Sequence, residues 1–174
     1  MALAMIACHR TAPQSPSRRS GKGEKADSTV LALMEGNRRL VDQADKDILA
    51  VVDSVQKADK VQFAQMSGGG WKMRRDSTNR EIAMYSQPPK PNENWRVRIQ
   101  TFSLSGKLIR DMEGVYTIKH YDMPLAVEEA VDDMFEGETS IVYSPWYTAY
   151  GTRGTDFIAG YENVRFVITL VSKE

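Results

Sequence analysis

Three consecutive glycines, Gly68-Gly69-Gly70, constrain this chain more than any other feature, because no helix tolerates such a run and the residue pattern differs on its two sides. Before them, Val30, Met34, Val41, Ala44, Ile48, Val51 and Val55 recur at spacings of three and four, which predicts a helix over residues 27–57 capped by Asp27 or Ser28. Leu31, Leu33, Leu40, Leu49 and Val52 widen that stripe beyond a coiled-coil seam, and Gly36 and Asn37 interrupt it. Such a face needs cover. The chain's own sheet is one partner, and a homodimeric pair of these helices is the other. The glycines also invite comparison with a phosphate-binding loop, but no strand precedes them and no Lys-Ser pair follows, so they are read as a hinge or turn.

Beyond the glycines the period changes to two. Trp71 opens a strand-like segment, residues 81–85 form another, and Pro88-Pro89-Lys90-Pro91 breaks the pattern. Over 95–104, Trp95, Val97, Ile99 and Thr101 alternate with Arg96, Arg98, Gln100 and Phe102, as a half-buried strand does. Ser105-Gly106 turns the chain, 107–109 return, and 115–119 supply another short strand. A helix is predicted over 123–134, capped by Asp122 with Pro124 in its first turn. Its buried stripe is Leu125, Val127, Val131 and Met134, set against Glu128, Glu129, Asp132 and Asp133. Ile141 and Tyr143 mark the next strand, 145–160 a long loop and 161–171 a closing strand.

The remaining chemistry is sparse. Lys plus Arg and Asp plus Glu number 23 each, so no global field exists to hold nucleic acid. The one cysteine, Cys8, and two histidines, His9 and His120, remove intrachain disulfides and most metal cages; no metal or cofactor is expected. At 174 residues the chain has room for one complete core and an extension. The N-terminus reads Met-Ala-Leu-Ala-Met-Ile-Ala before Cys8 and resembles the end of a bacterial lipoprotein signal, in which the cysteine carries the lipid. An ordinary frayed terminus with an incidental cysteine is the other reading. Residues 9–26, rich in Pro, Ser, Gly, Arg and Lys, are expected to be a disordered tether, solvated rather than bound to lipid headgroups.

Three segments carry a family resemblance. Glu128-Glu129-Ala130-Val131-Asp132-Asp133-Met134-Phe135-Glu136-Gly137-Glu138, then Ser144-Pro145-Trp146-Tyr147-Thr148-Ala149-Tyr150-Gly151, then Val164-Arg165-Phe166-Val167-Ile168-Thr169-Leu170 together resemble the FK506-binding protein (FKBP) family of peptidyl-prolyl isomerases. The resemblance covers 95–174. It implies an α+β fold, an antiparallel sheet wrapped around one short helix, here with an N-terminal helical extension. The expected division is 1–8 signal remnant, 9–26 tether, 27–66 helical extension and 67–174 FKBP-like domain. With Cys8, the tether, Glu35-Gly36-Asn37-Arg38-Arg39-Leu40 and Ser-Gly-Gly-Gly-Trp, the arrangement is similar to gliding-motility-associated FKBP-type lipoproteins of Gram-negative bacteria. That similarity implies a periplasm-facing or outer-membrane lipoprotein, touching the membrane only through its anchor.

The family's chemistry needs no acid, base or metal. Rotation about an X-Pro bond crosses a barrier of roughly 18–20 kcal/mol, and the twisted amide is less polar than the planar one. An apolar, water-excluding pocket therefore favours the twisted form. By resemblance, Tyr150 is the pocket tyrosine that holds a substrate carbonyl, Phe166, Ile158 and Met123 line the wall, and Val127 stands at the floor where the family has tryptophan. Ile109, Asp111, Trp146 and Tyr147 are expected at the rim. Pro124 occupies the place of a family backbone N–H donor and has none to offer. The family's Phe-Asp pair falls on Ile109 and Arg110; a one-residue slip would bring in Asp111, and without it an arginine stands where a carboxylate is expected. The implied partner is a proline-containing polypeptide. The implied activity is a weak isomerase, or alternatively a catalytically decayed FKBP-fold binding or chaperone module.

Overall fold

The computed structural model describes residues 28–75 and 87–174. The expected anchor at Cys8, the 9–26 tether, the Asp27 cap and the 81–85 strand lie outside the described residues. The chain divides into a unit ending at Glu35 and a second unit from Gly36 to Glu174. In the first, the described residues are the opening turns of helix α1 (Ser28–Asp59), where Val30, Leu31, Leu33 and Met34 are exposed. The second unit contains the remainder of α1, strand β1 (Ala64–Gln65), β2 (Trp71–Arg75), β3 (Asn94–Ser103), β4 (Leu108–Thr117), helix α2 (Leu125–Val131), β5 (Thr139–Ser144) and β6 (Val164–Lys173).

These strands form an antiparallel sheet in the order β1-β2-β5-β6-β3-β4. The alternation read in the sequence sets its faces. In β3, Trp95, Val97, Ile99 and Thr101 are buried, and in β6, Val164, Phe166, Ile168 and Leu170 are buried. With Val142 of β5 they pack against Ala126, Val127, Ala130, Val131 and Met134 from α2 and its C-terminal turn. The opposite face, through Ile141, Tyr143 and Val167, receives Ile48 and Val52 of α1 together with Phe63. Strand β5 is buried along nearly its whole length because α2 covers one side and α1 the other. Full burial of side chains like Ile48 and Val52 stabilises by roughly 1.5–3 kcal/mol each. The α1 stripe thus finds its cover on the sheet from Ala44 onward.

Several elements differ from expectation. The two short strands expected over 107–119 are one, β4, because its partner β3 is long enough to pair with all of it. The helix is shorter than 123–134, and its cap position is Pro124, with no side-chain cap hydrogen bond; Asp122 does not cap it. Leu125 is 46% exposed, so the buried stripe is Ala126, Val127, Ala130 and Val131. In place of a cap, the Ala126 amide donates to Thr148 O at 3.0 Å, tying the helix start to the long loop. At the other end Lys72, buried in β2, donates to Ala130 O at 2.6 Å and pairs with Asp133. A cation there complements the C-terminal end of the helix dipole.

The glycine run acts as a turn. Gly69 and Gly70 both have φ of +97°, and a Cβ on Gly69 would stand 2.7 Å from the Tyr147 hydroxyl. The Gly68 amide donates to the Glu129 carboxylate at 3.0 Å, and the Ser67 amide and hydroxyl donate to it as well. The loop's donors therefore hold an anion from the chain itself, in keeping with a turn rather than a phosphate site.

Candidate functional site

The expected pocket residues meet where the 145–160 loop crosses the β3–β4 end of the sheet. Phe166 is 0% exposed, held inward by β6 alternation between Arg165 and Val167. Tyr150 lies beside it, with ring centroids 5.9 Å apart, and Phe157 meets Tyr150 edge-on at 5.5 Å. Ile158, Met123 and Val127 are buried in the same apolar cluster, and Ile109, Tyr116 and Ala149 pack against it. Val127 is 0% exposed, its small side chain enclosed by the core around α2.

The Tyr150 hydroxyl is 3.0 Å from Thr101 Oγ1. Burial pushes its pKa above the ordinary phenol value, opposed by the Thr101 hydrogen bond and by the charge of Arg110. Tyr150 is therefore a neutral O–H at physiological pH. When Thr101 donates to the phenolic oxygen, the Tyr150 proton is left for another acceptor.

The register of the hairpin decides the rim. Thr101 pairs with Arg110 and Phe102 with Leu108, leaving Ile109 as the extra residue of a β-bulge. A bulge re-aims side chains, and here both Ile109 and Arg110 reach the site. Ile109 packs on the core cluster, and the Arg110 guanidinium lies 4.2 Å from the Phe157 ring centroid. Asp111 pairs with Gln100 and turns to the outer face of the sheet. There it accepts from Arg98 Nη2 at 2.6 Å and Gln100 Nε2 at 2.9 Å, contacts that hold its pKa down at about 2. The slip that would bring Asp111 to the rim does not occur.

Trp146 and Tyr147 have other partners. Trp146 packs edge-on against Tyr147 and Tyr161, at 5.5 and 4.9 Å. The Tyr147 hydroxyl donates to Asp45 Oδ1 at 2.5 Å, and burial followed by that bond raises its pKa far above the phenol range. Asn163 accepts from the Trp146 amide at 2.9 Å and donates to Ala44 O at 3.5 Å. These rings fasten the loop to α1. A cavity of about 350 Å³ lies on that side, lined by Asp45, Ile48, Met66, Gly69, Trp71 and Tyr147 among others. Among the described residues no group of His, Cys, Asp or Glu could hold a metal ion.

Sequence reasoning missed Thr101, Phe157 and Tyr116 as site residues. Thr101 was legible as the last inward position of β3, and Phe157 as the neighbour of Ile158. Tyr116 lies opposite Trp95 across the β3–β4 pair, a register that no local motif announces.

No protein-family model and no curated protein matches the chain. Among solved structures, a peptidyl-prolyl cis-trans isomerase from Pseudomonas syringae aligns with a TM-score of 0.56 and 18% identity, covering 76% of this chain and 95% of that one. FkpA from Escherichia coli aligns at 0.57 with 14% identity, over 84% and 70% of the two chains. AtFKBP13 aligns at 0.54 with 14% identity, over 65% and 99%. The chain thus has the α+β fold of FKBP-type peptidyl-prolyl isomerases.

Proposed function

We propose that the protein is a weak peptidyl-prolyl cis-trans isomerase acting on X-Pro bonds of exported polypeptides. One arrangement carries the reading: a Tyr150 hydroxyl held by Thr101 beside the apolar group of Phe166, Phe157, Ile158, Met123 and Val127. The proline ring packs on the half-buried rings of Tyr150 and Phe157, above the fully buried Phe166, and Tyr150 donates to a substrate carbonyl. The apolar walls disfavour the planar amide relative to the twisted one, so the barrier falls without proton transfer. Pro124 supplies no backbone donor at the helix start, which removes one neutral hydrogen bond worth about 0.5–1.5 kcal/mol, or a factor of about 2–13 in affinity.

Cis-trans kinetics on a set of X-Pro peptides test the reading. A kcat/KM above the buffer rate supports it. A rate equal to buffer for every peptide leaves the alternative, a catalytically decayed FKBP-fold binding or chaperone module, which the missing Pro124 donor and the cationic rim favour. Two further proposals concern setting. Attachment through a lipid on Cys8, as a periplasm-facing or outer-membrane lipoprotein of a Gram-negative bacterium, predicts palmitate labelling that disappears in Cys8→Ser. A homodimer through α1, motivated by the exposed Val30, Leu33, Met34 and Leu40, predicts a dimer in sedimentation that Leu33→Glu with Met34→Glu dissociates.

A further inference from the structure

Building on the isomerase site proposed above, we infer that the site selects X-Pro segments carrying an acidic side chain next to the proline, with Arg110 as the specificity-determining residue. Arg110 is placed by the β4 bulge opposite Thr101, the residue that holds the Tyr150 hydroxyl. Its guanidinium lies over Phe157, whose ring in turn meets Tyr150. The cation is therefore one aromatic ring away from the hydroxyl assigned to the substrate carbonyl.

Among the described residues its charge also has no carboxylate partner. On the outer face of the same strand pair, Arg98 is bound to Asp111, and Arg96 to Glu174. Arg110 is exposed and makes no ion pair among the described residues, not even with Asp156, the neighbour of Phe157 in the loop. A guanidinium stacked on a ring uses its flat face and leaves its in-plane N–H groups outward, in the fork that matches a carboxylate. The positive charge reaches the site interior as well, where it opposes the upward shift that burial gives both Tyr150 and Tyr116. Because the chain has no net charge, this selection is local rather than the work of a global field.

The test uses the full chain and fluorescent peptides with Glu, Ala or Lys on both sides of one proline, plus a Glu-Ala-Glu control. Anisotropy reads binding, and cis-trans exchange reads rate. The Glu-flanked peptide is expected to bind about 3- to 20-fold more tightly than the Lys-flanked one at low salt, the sum of one exposed attraction and one repulsion. The ratio should shrink as salt rises. Arg110→Met should abolish it, Arg110→Glu invert it and Arg110→Lys keep only part of it, because an ammonium carries the charge without the planar fork, while Arg98→Met on the outer face leaves it intact. Equal binding of Glu- and Lys-flanked peptides, a preference that survives Arg110→Met, or equal binding of the Glu-Ala-Glu control overturns the inference. Charge selection that depends on Arg110 and on proline, without any rate above buffer, supports the inference and defeats the isomerase reading. Catalysis indifferent to flanking charge does the reverse.

Discussion

The long loop between β5 and β6 carries two aromatic groups only a few residues apart, and they do opposite things. Trp146 and Tyr147, with Tyr161 returning beside them, are fastened to α1 through Asp45 and Ala44. Tyr150 and Phe157 turn to the other side, meeting Phe166, Thr101 and Arg110. Both groups are partly buried aromatics with hydroxyls bonded to a side chain. What separates them is the partner: Tyr147 donates to a carboxylate of its own chain, whereas Tyr150 shares its bond with a hydroxyl that can act as the donor. The Tyr147 proton is committed to Asp45, whereas the Tyr150 proton stays available whenever Thr101 is the donor.

The largest test of that division is Phe166→Ala. Phe166 is 0% exposed at the centre of the main core, so its loss is expected to cost about 3–5 kcal/mol in a denaturant melt. Trp146→Ala, at the half-buried fastening to α1, should cost clearly less. Equal losses would mean that the two aromatic groups share one core. Next in size, Val127→Trp should overpack the enclosed position and destabilise by about 1–3 kcal/mol. Unchanged stability together with faster isomerisation would instead reveal an open floor that the added indole fills.

Smaller again is Asp45→Asn, which leaves Tyr147 a neutral acceptor in place of a charged one. A loss near 1 kcal/mol in stability with no change in proline-peptide binding is expected. Changed peptide binding would place Tyr147 at the rim after all. The smallest effect concerns the outer face. Asp111 has its pKa lowered from 3.8 to about 2 by Arg98 and Gln100, so the pairing contributes above the unfolded value and is lost as pH falls through about 2. An acid titration of the Asp111 carboxyl followed by NMR should give a midpoint near 2. A midpoint near 4 would mean that the Arg98 pair is not formed, and with it the contrast to Arg110, which has no ion pair among the described residues.

Much of this fold was legible in the sequence. The change of period at Gly68-Gly69-Gly70, the alternation of Trp95, Val97, Ile99 and Thr101, and the turn at Ser105-Gly106 are local signals, and each is set by backbone sterics or burial on one face. The inner residues of the site followed by resemblance: Tyr150, Phe166, Ile158, Met123 and Val127 do come together. The rim was not legible, for two reasons. Whether Arg110 or Asp111 faces the site depends on one bulge, and a bulge is a property of the strand pair rather than of either strand. Whether Trp146 and Tyr147 face the site depends on α1, about a hundred residues earlier, whose Asp45 takes the Tyr147 hydroxyl. Leu125 is exposed because, at 3.6 residues per turn, it lies on the opposite side of α2 from Ala126, Val127, Ala130 and Val131, a mismatch that the apolar residue types alone conceal.

If catalysis belongs to the Tyr150 group and not to the Tyr147 group, deleting the two hydroxyls one at a time must separate them. Cis-trans exchange of one X-Pro peptide should be measured with the wild type, Tyr150→Phe and Tyr147→Phe under the same conditions. The expected result is a wild-type rate above buffer, a several-fold fall in Tyr150→Phe from the loss of one hydrogen bond to substrate, and no fall in Tyr147→Phe. A wild-type rate that Tyr150→Phe leaves untouched, or that Tyr147→Phe lowers instead, would contradict it.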